Sequence, residues 1–147
     1  RSAIEQQQIE EQQQQIQERI IKEAYGQYLQ YIQLGDSLTV LGNESKGMDY
    51  ELLYKDALRY YENALRLEEQ YENDFPERVD ISVRKDSLLR KIDEVFEFII
   101  TSAAKAEEIQ AYDMARQFYQ RAVKLKPDSP VLQEFEARQD SINQLNN

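Results

Sequence analysis

The sequence predicts an all-α fold of antiparallel helical hairpins, and three observations predict it. Apolar residues recur at steps of three and four, and no stretch of any length alternates with period two. Only four Gly and three Pro interrupt the 147 residues, so few places can end a helix. One amphipathic pattern, "YKDALRYYENALRLEE" (Tyr54 to Glu69), returns 58 residues later as "YDMARQFYQRAVKLKP" (Tyr112 to Pro127).

Each element follows from local chemistry. A first helix is expected over 2–41, broken only by the isolated Gly26 and Gly35, with Ile21, Tyr25, Tyr28 and Ile32 as its stripe. Gly42 is placed as the left-handed residue that ends it and opens the loop "GNESKG". A second helix is expected over 49–72, stopped by "NDFPE", where Pro76 pushes Phe75 out of helical geometry. A third is expected over 77–110, with Leu88, Ile92, Val95, Ile99 and Ser102 on one face. A short turn near Ala111 leads to a fourth over 112–126. "KPDSP" ends that helix, and Ser129 with Pro130 reads as an N-cap and first-turn pair for a last helix over 129–145. Its apolar face is Val131, Phe135, Ile142 and Leu145.

The first twenty residues differ in kind. "IEQQQIEEQQQQIQERI" is rich in good helix formers, but Ile4, Ile9, Ile16 and Ile20 are spaced by 5, 7 and 4. Three readings stay open for 1–20: an exposed helical stalk, which is preferred, a weak coiled coil, and a segment disordered in isolation. The stalk runs without a linker into a domain over 21–147.

Composition limits the function. The net charge is −10 and the 18 Lys and Arg form no basic stripe, which disfavours nucleic acid and anionic membrane surfaces. No apolar run is long enough to span a bilayer, so this stretch is not expected to insert directly into a membrane. The first residue is Arg, which reads as a piece of a longer protein. With no Cys and no His, disulfides, thiol nucleophiles, imidazole bases and thiolate metal sites are absent, and there is no Gly-rich phosphate loop. Neither an enzyme nor a cofactor is expected. The cysteine count is silent on compartment, leaving cytoplasm and bacterial periplasm both open.

In the second copy Ala115 and Ala122 leave a shallow trough with Tyr119 between them, and Tyr112 leans toward the preceding helix. Tyr54, Ala57, Tyr61 and Ala64 repeat the arrangement. Each copy therefore reads as the second helix of a hairpin, gripped by the first. This resembles the tetratricopeptide repeat, in which such hairpins stack into a superhelix. Tyr112, Ala115, Tyr119, Ala122 and Pro127 match the signature of that family, "YIQLG" (Tyr31 to Gly35) resembles its first-helix element, and Glu69 stands where its Pro would be. The family period of about 34 residues is stretched to 58, which implies two over-long hairpins closed by a terminal helix.

The resemblance implies a binding groove lined by first helices. It would hold Glu97, Ile100, Ala104, Glu107 and Glu108 in the second unit, and Leu29, Ile32 and Asp36 in the first. Relatives that clamp a carboxylate-ended peptide use basic and amide residues there. Here the polar positions are acidic, so a protein or peptide of basic or mixed charge is expected. One of Tyr25, Tyr28 and Tyr31 is a further candidate for partner contact. The expected function is a non-catalytic interaction or scaffold domain of a larger protein. The alternative is a sensory or regulatory domain of a membrane-anchored receptor, and the third reading is a homodimerisation module.

Overall fold

The computed structural model describes residues 2–45 and 50–146. They form five helices: α1 (Ala3–Glu44), α2 (Tyr50–Gln70), α3 (Ile81–Glu108), α4 (Tyr112–Leu125) and α5 (Val131–Leu145). The all-α reading holds, with no strand among the described residues.

Three boundaries are corrected. α1 does not end at Leu41, and Gly42 is not a left-handed cap: the helix continues to Glu44, and Gly42 lies buried within it. Its buried position, described below, explains the residue better than a helix end does. The rest of the expected loop, Lys46 and Gly47, and the expected start of α2 at Asp49 lie outside the described residues. α3 begins at Ile81 rather than Glu77, because the carboxylate of Asp80 accepts from the Val83 N–H at 3.3 Å and caps it there. Ser129 does not cap α5. The helix starts after Pro130, whose carbonyl accepts from the Glu134 N–H, and no side chain caps it. Leu145 is 86% exposed, off the apolar face, where Gln139 is buried instead.

The α3–α4 turn is tight although it contains no glycine. The Ala111 N–H bonds the Ala106 carbonyl and the Gln110 N–H bonds the Glu107 carbonyl, with Gln110 at φ 63°. This is a Schellman closure with a glutamine in the left-handed position, at a cost of about 1–2 kcal/mol.

Each helix packs on its successor, and α2 also touches α4. "NDFPE" is not merely a break. Phe75 is buried, its ring 5.0 Å from Tyr28, 5.2 Å from Tyr25 and 5.4 Å from Tyr71. The hydroxyl of Tyr28 donates to Glu68 and accepts from the Val79 N–H, tying the connection to both helices of the first hairpin. One cluster of buried residues spans α1–α3 and the end of α4, and a second joins α3, α4 and α5 around Phe135.

Candidate functional site

The helices of the first hairpin run antiparallel in a seven-residue register. Tyr61 meets Gly35 and Tyr54 meets Gly42: a Cβ on Gly35 would stand 2.5 Å from the Tyr61 ring, and one on Gly42 2.8 Å from the Tyr54 ring. The tyrosines thus fill gaps that the two glycines leave on α1. Burial forces their hydroxyls to find partners, and both partners stand one residue past the glycine. Tyr61 donates to Asp36 Oδ1 at 2.6 Å, and Tyr54 donates to Asn43 Oδ1 at 2.7 Å.

A cation from the next first helix completes each arrangement. Arg84 of α3 reaches Asp36 Oδ2 at 2.7 Å, and Lys91, seven residues on, reaches Asn43. The second hairpin repeats the motif. Tyr119 donates to Glu107 Oε1 at 3.0 Å, and Arg138 of α5 grips both Glu107 oxygens at 2.7 and 2.9 Å. The rule is a tyrosine from the second helix, an acid from its own first helix, and an arginine from the following first helix. It occurs at Tyr61 and at Tyr119, the same position in the two sequence copies.

The electrostatics follow the geometry. Burial, and then the bond to Asp36, pushes the Tyr61 hydroxyl up to about 12. Burial does the same to Tyr28, also up to about 12, and raises Tyr119. The Arg138 hydrogen bonds hold Glu107 below the usual carboxylate range, and Glu107 in turn raises Arg138.

A second inter-hairpin tie joins α2 to α4. Glu51, 2% exposed, forms a two-oxygen salt bridge with Arg121, and the guanidinium also lies 5.7 Å from the Tyr50 ring. Nothing in the sequence marks this pair, because its members are 70 residues apart and each sits in an ordinary charged helix face.

The residues expected in the groove are only partly brought together. Ala104, Glu107 and Glu108 line one cleft of about 410 Å³ with Tyr112 and Ile142. Glu107 is already held by Arg138 and Tyr119, whereas Glu108 is exposed. Glu97 is exposed two turns earlier, and Ile100 is half-buried against both clusters. On α1, Leu29 is 40% exposed, Ile32 is core at 5%, and Asp36 belongs to the first clamp. Tyr28 is fully buried, Tyr25 packs on Phe75, and Tyr31 is half-buried beside Tyr60. Sequence reasoning missed the cations of the clamps, Arg84, Lys91 and Arg138. Their roles depend on where α3 and α5 lie against the preceding hairpin, and spacing within a helix carries no such signal.

Among the described residues no group of His, Cys, Asp and Glu could hold a metal ion, and no helix is long and apolar enough to cross a membrane. Compared with known proteins, the chain matches no family model, no curated protein and no solved structure.

Proposed function

We propose that this is a non-catalytic protein-binding domain, a tetratricopeptide-like stack that positions a partner segment along its first helices. The observation that carries the reading is the recurring tyrosine–acid–arginine clamp. It couples each hairpin to the following first helix, so α1, α3 and α5 become successive members of one series. With Asp36 engaged by Tyr61 and Arg84, and Glu107 by Tyr119 and Arg138, the surface for a partner reduces to Glu97, Glu108, Ala104 and Ile100 on α3, with Leu29 on α1. Exposed acids beside aliphatic side chains suit a peptide of basic or mixed charge with apolar anchors. Selection from a random peptide library provides the test. Enriched peptides should carry Lys or Arg beside an aliphatic residue, and Glu97→Lys with Glu108→Lys should weaken them at least about tenfold. Peptides that bind the double variant equally well would remove this surface from consideration.

A second reading is favoured by one observation. α1 is an unbroken helix of 42 residues, about 63 Å long, and every residue from Ala3 to Ile20 except Ile9 is exposed. Such a rod suits a sensory or regulatory domain held away from a bilayer by a membrane-anchored receptor. An apolar stretch of about 20 residues upstream of Arg1 would support that assignment.

A further inference from the structure

The two ends of the stack are unlike. At the C-terminal end α5 turns Glu134, Asp140 and Gln144 to solvent, the polar outer face that closes a helical array. At the N-terminal end α1 leaves a seam that its own hairpin covers only in part. Ile9, Gln13, Ile16 and Ile20 step by 4, 3 and 4. One further step of four reaches Ala24, after which Gln27, Tyr31, Leu34, Leu38 and Leu41 continue the 3–4 alternation. This is a coiled-coil seam with a single stutter at Ile20–Ala24. Ile9, Ile16 and Ile20 fall in its N-terminal third, and Ile4 lies off it. Ala24, Tyr31 and Leu38 are half-buried with one side on the core of the first hairpin, and the other positions lie outside that cluster, with Ile16 at 56% and Leu41 at 52% exposed.

Charge distinguishes the occupants of such a face. The junction between the two hairpins is laced with ion pairs: Asp36–Arg84, Glu62–Lys85 and Glu51–Arg121. The α1 seam has no charged position at all, in a chain of net charge −10. Another hairpin of the same kind would bring charged side chains with nothing to meet them. A second copy of this seam brings none, and an uncharged strip is where two molecules of like charge approach with least repulsion. A two-fold pairing needs only that one patch be complementary to itself.

We infer that α1 pairs with α1 of a second copy along Ile9–Leu41, as a two-stranded coiled coil about 48 Å long. Gln13 and Gln27 are its polar seam positions, and they set register at a cost in stability. Pairing also supports the stretch from Ala3 to Ile20, since a solitary helix of that length is marginal in water. The seam lies on the opposite side of α1 from Asp36, so this inference is independent of the groove proposed for a partner peptide.

Sedimentation equilibrium of the full chain, from about 1 to about 200 µM, tests it. The wild type should form a dimer. Ile16→Glu with Leu41→Glu, at two exposed seam positions, should weaken association by about a hundredfold or more while leaving circular dichroism of the body helices intact. Gln15→Glu with Gln33→Glu, the same charge added off the seam, should still dimerise. A wild-type monomer throughout that range would overturn the pairing and leave the seam to a different partner. Equal association of both double variants would overturn it as well.

Discussion

In the first hairpin Tyr54 and Tyr61 lie against glycines, whereas in the second Tyr119 lies among alanines and against the ring of Phe135, 5.0 Å away. In the first hairpin the two helices therefore supply both wedge and gap, and only the cations come from α3. The second is completed from outside, since Phe135 and Arg138 both come from α5. The same wedge sequence thus gives one tyrosine ring seated within its own hairpin and another that is packed partly by its neighbour. A sequence motif specifies the wedge, and the element opposite it decides which contacts hold it.

The largest expected effect tests that dependence. Phe135 is fully buried, and Phe135→Ala should cost about 3–5 kcal/mol. Hydrogen exchange should rise in α4 and α5 while α1 and α2 keep their protection. Uniform loss of protection would mean that the two hairpins unfold as one cooperative unit and that the contrast is wrong.

Next in size is the glycine gap. Gly35→Ala places a methyl 2.5 Å from the buried Tyr61 ring and should destabilise by about 1–3 kcal/mol, despite the better helix propensity of alanine. Gly26 has nothing within 4 Å of its would-be Cβ, so Gly26→Ala should stabilise by about 0.5–1 kcal/mol. Thermal melts of the two variants should shift in opposite directions. Equal shifts would show that the ring of Tyr61 moves aside freely.

The smallest effects are pH-dependent: buried tyrosines respond at the alkaline end and Glu107 of the second clamp at the acid end. Tyr61 and Tyr28 hold their protons more tightly in the fold, at about 12 against an ordinary 10.0. The stability they contribute is complete below pH 10 and is lost as pH rises toward 12. Glu107 is held low by Arg138, so its contribution is present above the ordinary 4.5 and is lost as pH falls below that value. Melting temperatures measured across both windows should fall at each edge. Tyr61→Phe should flatten the alkaline fall and Arg138→Gln the acid one, and an unchanged slope in either variant would detach that clamp from the effect.

Much of the fold was legible because helical periodicity and the rarity of Gly and Pro are local signals. Ala57, Tyr61, Ala64, Ala115, Tyr119 and Ala122, the troughs and wedges read from the repeated pattern, are all buried. Gly42 was misread for a physical reason. Glycine serves both to end a helix and to admit a neighbour, and only the helix opposite distinguishes the two uses. Of the residues expected in a groove, Ala104, Glu107 and Glu108 line one cleft. Ile32 was not separable from its neighbours, because one turn of helix decides between core and surface.

The amino-acid sequence alone determined the helices, their amphipathic faces and the tyrosine wedges, since each depends on residues within a few turns of one another. The tertiary structure decided which acids are paired with a cation from another helix. Asp36 and Glu107 read like Glu97 and Glu108 in the sequence, yet the first two are held by Arg84 and Arg138, 48 and 31 residues away. Side-chain chemistry is set locally, but whether a carboxylate meets an arginine or water depends on how whole helices stack.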